Sequence, residues 1–413
     1  MNQNNYTNRL ENQSIICFAP DLWDSMWRNR HQIMSRLSRT NKVLFIEPKT
    51  YTFRQGLGLL KKSMIGKSLQ NERLKHITNG LWVYQHPPWG VNSRWQVLKQ
   101  AGFSSRIFAI RHAMRKLQMK YPILWIVDPR HGNMTKYFDK SLVCYHVVDN
   151  YAAAPYYSEK IRAEFEEAEK FMLSIADLVI VTSPFLLQEK SKYNSNVCLV
   201  RNAVDYDRYS SVRGNNNIPE DMRDVPKPLV GYIGAVNAKL DYELLDTVSR
   251  KRPQWSFVFI GDYSNTPRLL AYHKFIHEHS PNVFLLGRRD VADVPHYIHA
   301  CDICIMPYCR DEYTEAIDSL KLYEYFACEK PIVATDIPAV REHSRLVYIA
   351  KDADDFIGKL EEAMTSFTPE QRDLQRATAI QNTWDKRVEQ LSFLIQAASD
   401  KKKQALHINK ELI

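Results

Sequence analysis

The sequence predicts an α/β protein: two Rossmann-like, doubly wound parallel-sheet domains facing each other across a cleft. Three observations lead there. At 413 residues the chain exceeds what one hydrophobic core normally serves, and length favours two or three domains. Short apolar, β-branched runs alternate with stretches of helical periodicity, as in parallel strands covered on both faces. The pattern stops at a polar, proline-bearing stretch, 213–228 (RGNNNIPEDMRDVPKP), and then restarts.

In the first half, residues 14–19 form a strand and 28–39 a helix, with Ile33, Met34 and Leu37 at helical spacing. Residues 42–47, 80–85, 123–127 and 142–148 are further strands, followed by a long acidic helix at about 158–175 and strands at 178–182 and 197–200. After the linker come strands at 229–233, 256–260, 282–286, 303–307, 331–335 and 346–349, with helices between. An apolar-periodic helix at about 384–398 and a Lys401-Lys402-Lys403 tail, expected in solvent, close the chain. The expected division is 1–205, 206–385, and 386–413 as a terminal helix with a basic tail.

Composition narrows the function classes. With 45% hydrophobic and 25% charged residues the chain is globular rather than disordered. No apolar run approaches the ~20 residues of a membrane span, and MNQNNYTNRLENQ lacks the apolar core of a signal peptide. A cytoplasmic location is expected. Most of the seven cysteines sit in apolar stretches. Cys301 and Cys304 have Cys-x-x-Cys spacing, but strand alternation would send them to opposite faces, which favours reduced core thiols over zinc. Residues 1–150 hold 23 Lys and Arg against 8 Asp and Glu, whereas the remainder holds 33 against 39. A basic half suggests an anionic partner, either nucleic acid or an anionic membrane. No nucleic-acid motif accompanies the charge.

Ligands of open parallel sheets bind beyond the carboxyl ends of the strands. At those ends the second half places Gly231-Tyr-Ile-Gly234 with Lys239 beyond, then Gly261-Asp262, then Gly287-Arg288. Glycine lets backbone approach a phosphate, although Gly-x-x-Gly also suits a plain tight turn. Gly287 could seat a flat base and Arg288 stack on it or reach a phosphate; Arg288 as a surface residue is equally compatible. The fourth strand end leads into 314–336 (TEAIDSLKLYEYFACEKPIVATD), a polar loop, a helix and a buried strand. Lys321 and Glu324, three apart, share one helical face. The lysine suits a diphosphate, and the carboxylate accepts hydrogen bonds from ribose hydroxyls. No GxGxxG follows either first strand, which argues against a dehydrogenase.

The segments CDICIMPY, EYTEAIDSLKLYEYFACEKPIVATDIP, LVGYIGAVNAKLDYELL, NVFLLGRRDVADVPHYIHACD, CYHVVDNYAAAP and NTWDKRV together resemble GT-B glycosyltransferases of the retaining family-four group. The likeness is nearest to the bacterial teichuronic-acid biosynthesis branch and covers most of residues 140–390. The resemblance implies a metal-independent enzyme without cofactor, an acceptor-side first domain, and a second domain that holds a nucleoside-diphosphate sugar, with UDP expected. It implies a donor site of Gly234, Lys239, Gly261, Gly287, Arg288, Thr314, Ser319, Leu320, Lys321 and Glu324. Glu324 falls on the second glutamate of the family's Glu-x7-Glu motif; the first falls on Ala316, where Thr314, Glu315 or Asp318 could substitute. The lysines would stabilise charge on the leaving diphosphate, making Lys321 catalytic. Asp149 stands where such enzymes face the anomeric carbon, and it also suits a helix N-cap. His146 reads as a core histidine. Trp27, Arg30 and His31, with Arg28, could meet a glycan or phosphate-bearing acceptor, or simply pack.

Residues 54–75 and 94–120 mix basic with apolar side chains, the latter stretch carrying seven Lys or Arg and no acid. This suits an anionic bilayer surface at the inner face of the cell membrane, or an amphipathic helix packed on the sheet. The leading expectation is a glycosyltransferase acting on a lipid-linked or growing cell-surface polysaccharide. The alternatives are a GT-B-type sugar-nucleotide epimerase and a non-catalytic nucleotide-binding partner of another transferase.

Overall fold

The computed structural model describes residues 10–48, 73–86, 96–214, 217–263 and 270–411. Most of the basic stretch 54–75 lies outside the described residues. Two sheets carry the fold. The first contains β1 (Ser14–Phe18), β2 (Lys42–Ile46), β3 (Leu74–Thr78), β4 (Leu81–Tyr84), β5 (Ile123–Ile126), β6 (Leu142–Val147), β7 (Leu178–Val181) and β8 (Val197–Leu199). Its order is β3-β4-β2-β1-β5-β6-β7-β8. The second contains β9 (Leu229–Ile233), β10 (Ser256–Ile260), β11 (Val283–Gly287), β12 (Ile303–Met306), β13 (Ile332–Thr335) and β14 (Tyr348–Ala350). Its order, β11-β10-β9-β12-β13-β14, is the doubly wound arrangement with its switch point between β9 and β12. Nearly every residue of β1, β5, β6, β7 and β9 is buried, as strands covered by helices on both faces must be.

The first sheet departs from pure parallel pairing. β3 runs antiparallel to β4 across an Asn79-Gly80 turn, with Gly80 at φ +83°. Its side chains are half-exposed or exposed, so the apolar run that betrays the other strands is missing. Gly80 also has no room for a side chain: a Cβ would lie 2.1 Å from the Ser38 carbonyl oxygen.

The terminal helix extends further than its apolar period suggests, from Trp384 to Glu411. Trp384, Leu391, Ile395 and Ala398 pack into the first domain's core, so the helix crosses back over the N-terminal sheet. The Lys401–Lys403 run continues this helix, with Lys401 and Lys403 exposed as expected and Lys402 half-buried. Lys402 Nζ reaches Asp177 Oδ2 at 2.6 Å, on a carboxylate that also accepts the Val143 N–H.

The cysteine expectation needs correction in geometry. β12 begins only at Ile303, and Cys301 is the C-cap of the helix Val294–Ala300. Strand alternation therefore does not apply between them, and the Cys301 thiol instead donates to the Tyr297 carbonyl at 3.2 Å. Both are free and buried.

Candidate active site

The carboxyl ends of β9, β10 and β11 form a staircase of three glycines. Gly234 N–H donates to the Ile260 carbonyl at 2.7 Å, and Gly261 N–H to the Gly287 carbonyl at 2.9 Å. All three have positive φ, +148° at Gly234, +153° at Gly261 and +74° at Gly287. A Cβ on Gly261 would stand 2.1 Å from the Gly234 oxygen. The strand ends can close together only because side chains are absent.

Lys321 lies against this bare floor, and Lys239 stands within its electrostatic reach. Lys321, in the helix Leu320–Ala327, lies along Gly234: a Cβ there would meet its Cε at 1.9 Å and its Nζ at 2.2 Å. Its ammonium stands 5.5 Å from the Tyr232 ring centre, and that of Lys239 stands 5.1 Å from the Tyr308 ring. The two rings meet edge-on at 6.4 Å. Tyr308 is itself held, its N–H donating to Thr335 Oγ1 and its hydroxyl lying 3.3 Å from Ser319 Oγ. Burial pushes the Lys239 ammonium well below the usual lysine range, and Lys321 adds like-charge repulsion while Asp149 opposes both. An anion between the two lysines would relieve that repulsion.

Glu324 shares the face of Lys321 and interacts with Tyr209. Burial raises its carboxyl, and Lys321, Tyr209 and Arg208 draw it back down. Beyond the glycines, a cavity of about 460 Å³ is lined by Asp262, Tyr263, Tyr272, His273, Gly287 and Arg288, among others. The Arg288 guanidinium also spans to the first domain, donating to the Asp24 carbonyl at 3.4 Å.

Asp149 follows β6 in the first domain and lies within electrostatic reach of Lys239. Burial raises its carboxyl above the usual range, against Arg28, Lys239 and Arg30. It is no helix cap: the short helix Tyr151–Ala153 starts after Asn150. His146 is buried in the strand, edge-on to Trp125, and burial lowers its imidazole to about 3.

The domains close on one another through the 311–319 loop. Ser183 Oγ donates to the Ala316 carbonyl at 2.7 Å, and Asn202 donates both its N–H to Asp318 Oδ2 at 2.5 Å and its amide to the Asp318 carbonyl at 2.6 Å. The Tyr156 and Tyr313 hydroxyls lie 3.3 Å apart across the boundary. Ala316 is fully buried in the first domain's core cluster, so the missing glutamate's place is a packing position. Of the three substitutes considered, Thr314 is fully buried in a capping box with Asp311, Glu315 is exposed, and Asp318 is committed to Asn202. Leu320 packs toward the first domain's core rather than toward the glycines.

The first-domain contacts divide. His31 does not reach the cleft: it is fully buried, its Nδ1 accepts the Arg28 N–H at 3.1 Å, and its Nε2 meets the Leu22 carbonyl at 3.1 Å. Burial lowers it to about 4. Arg30 is 2% exposed and paired with Asp21 beneath the surface. Trp27 stacks on His31 with centroids 6.0 Å apart. Arg28 is the residue of this group that remains open, its side chain 47% exposed. Sequence reasoning overlooked Tyr151, Tyr156 and Tyr313, which gather around Asp149 and Arg28. The aromatic cluster directly after Asp149 (YAAAPYY) was the available signal. The sequence also holds Asp-x-Asp spacings at Asp205/Asp207 and Asp352/Asp354; in the structure Asp205 pairs with Arg36 and Arg208, and Asp352 caps the helix Ala353–Ser366.

Residues 227–366 match the family described as "Glycosyl transferases group 1". A Bacillus subtilis (strain 168) protein named for teichuronic acid biosynthesis, the glycosyltransferase TuaH, is 27% identical over 279 residues, 63% of this chain and 68% of that protein. Among solved structures, a sucrose-phosphate synthase from Thermosynechococcus elongatus superposes with a TM-score of 0.70 at 15% identity, covering 93% of this chain and 98% of the other. Anabaena HepE in complex with UDP and glucose gives a TM-score of 0.66 at 14% identity, covering 93% and 99%. Fold, family match and sequence relative together class the chain as a GT-B glycosyltransferase related to the group 1 glycosyl transferases.

Proposed function

We propose that the protein transfers a sugar from a UDP-sugar, without a metal and with retention, to a lipid-linked or growing cell-surface polysaccharide. The carrying observation is Lys321 lying along the side-chain-free floor at Gly234, with Lys239 in electrostatic reach of both Lys321 and Asp149. Two ammonium groups there match a diphosphate and meet the charge that grows on it as the glycosidic bond breaks. Glu324 takes the ribose hydroxyls, and the cavity at Gly287 and Arg288 takes the base. Asp149 orients the acceptor hydroxyl at the anomeric carbon. The HepE structure with UDP and glucose and the name of the Bacillus relative support the donor and the acceptor class.

Contact with the inner face of the membrane fits the helix Gln96–Lys116. One face leaves Val97 78% and Phe108 67% exposed beside Arg111 and Arg115, and Tyr121 follows at 69%. Apolar side chains with arginines suit an anionic bilayer surface. No helix among the described residues is long and apolar enough to cross a membrane.

Thermal-shift titration with UDP, GDP, ADP and dTDP tests the donor site. A ligand at a hundred times its Kd adds about 2.7 kcal/mol of stability. Stabilisation by UDP above the others supports the proposal, and no shift with any of the four refutes it. Incubating UDP-sugars with protein alone separates transfer from epimerisation, since a new sugar nucleotide formed without acceptor would indicate the latter. Flotation with phosphatidylglycerol vesicles against phosphatidylcholine vesicles tests the membrane face.

A further inference from the structure

We propose that Glu329 is a positioning residue for the donor: it pins the connector between the domains against the end of the helix Leu320–Ala327 and so holds Glu324 in place for the ribose. The inference rests on the UDP-sugar reading above and deepens it, since Glu329 lies outside the donor residues named there.

The helix Leu320–Ala327 closes in a Schellman turn. Glu329 N–H donates to the Phe326 carbonyl at 3.0 Å, and Lys330 N–H to the Tyr325 carbonyl at 3.2 Å. Such a turn needs a left-handed residue at position 329, which glycine supplies without strain. Here a glutamate supplies it, at φ +55°. A side chain kept in that conformation has to be held by what surrounds it. The Glu329 side chain is 10% exposed and lies between two arginines. Arg376 grips it as a fork, Nε donating to Oε1 at 2.6 Å and Nη2 to Oε2 at 3.0 Å. Arg213 Nη1 donates to the same Oε1.

The two arginines mark the two places where the chain passes between the domains. Arg213 follows the short helix Tyr206–Ser210 on the outgoing connector, and Arg376 lies in the helix Pro369–Gln381, just ahead of the return. The two passages run side by side, with Val204 bridged in parallel to Thr383. Arg213 also donates through Nη2 to the Tyr206 hydroxyl at 2.6 Å and through Nε to the Ser210 carbonyl at 3.3 Å, so it holds that short helix at both ends. Tyr209, between them, is buried in the second domain's core, and its carbonyl accepts the Cys328 thiol at 3.5 Å. Cys328 N–H in turn donates to the Glu324 carbonyl at 3.1 Å, one turn back along the donor helix. One chain of contacts thus runs from Glu329 through Arg213 and the helix Tyr206–Ser210 to Glu324. Removing the carboxylate would leave two guanidinium groups facing each other and release the connector from the helix end.

Paired calorimetric titrations of the full chain with UDP and 2′-deoxy-UDP test this. Glu329→Gly suits the left-handed turn and removes only the side chain, whereas Glu329→Gln keeps its length and removes its charge. Both should weaken UDP by about fivefold or more while changing 2′-deoxy-UDP by less than about twofold, the pattern of a lost ribose contact. Glu329→Asp, which keeps a carboxylate, should recover part of the loss, and Arg213→Gln should reproduce it. A purely structural role would lower Tm and weaken both ligands alike, and that result overturns the proposal. So does a UDP preference over 2′-deoxy-UDP that survives both Glu329→Gly and Glu329→Gln; this inference then falls while the donor site stands. A wild type that binds UDP without preferring it over 2′-deoxy-UDP removes the ribose role of Glu324 and this inference with it. If the wild type does not bind UDP, the donor reading falls as well.

Discussion

Gly234→Ala probes the donor floor at its narrowest point. The new Cβ would sit 1.9 Å from Lys321 Cε and 2.2 Å from its Nζ, far inside any tolerable contact. The obstructing atoms are the end of a flexible side chain, so Lys321 swings aside and carries its charge off the site. Holding alanine at φ +148° adds backbone strain of about 1–3 kcal/mol, which lowers Tm. Losing one hydrogen bond to a charged group costs about 1.5–3 kcal/mol. That corresponds to roughly a 10- to 150-fold rise in the Kd for UDP. Lys321→Ala should weaken UDP by a similar amount, since it removes the same ammonium. The double variant should then bind UDP about as weakly as either single one, because each change destroys the same contact. Calorimetric titration of the folded variants with UDP measures this directly. A Kd within twofold of wild type in Gly234→Ala, or fully additive losses in the double variant, would refute the reasoning.

Three further outcomes are expected. Glu324→Gln should shrink the preference for UDP over 2′-deoxy-UDP by about 1–2 kcal/mol, read from paired titrations, because its carboxylate no longer draws the ribose hydroxyl. Lys239 is held well below the usual lysine range by burial and by Lys321, so a bound diphosphate raises it again. UDP binding should therefore take up protons and weaken as pH rises, visible by titration in buffers of different ionisation enthalpy. Burial pushes the Asp318 carboxyl up to about 6, so the folded state favours its protonated form. Its contribution to stability is complete below about pH 4 and is lost as pH rises through about 6. Asp318→Asn, which cannot ionise, should flatten that part of the Tm–pH profile.

The alternation of strands and helices was legible because buried parallel strands are nearly continuous apolar runs, and each of those read from the sequence recurs within a residue or two. β3 was not, since an exposed edge strand carries no such run; its Asn79-Gly80 hairpin turn was the overlooked sign. Thiol placement at Cys301 and Cys304 was misjudged because the helix ends one residue before Cys301, a boundary that periodicity does not fix to that precision. His31 illustrates the limit for the site. A histidine at the start of a helix beside arginines suggests a surface, but here its two nitrogens close a cap and meet a carbonyl inside the core.

By itself, the sequence determined the two-domain α/β architecture, the glycines at three strand ends, and a lysine and glutamate on one helical face. These follow from local periodicity and from chemistry carried by single residues. The tertiary structure decided which groups meet. It laid Lys321 across Gly234, sealed Ala316 into the opposite domain, and left Arg28 open while burying Arg30 and His31. Such placements depend on strand register and domain closure, which arise from contacts between residues far apart in the chain.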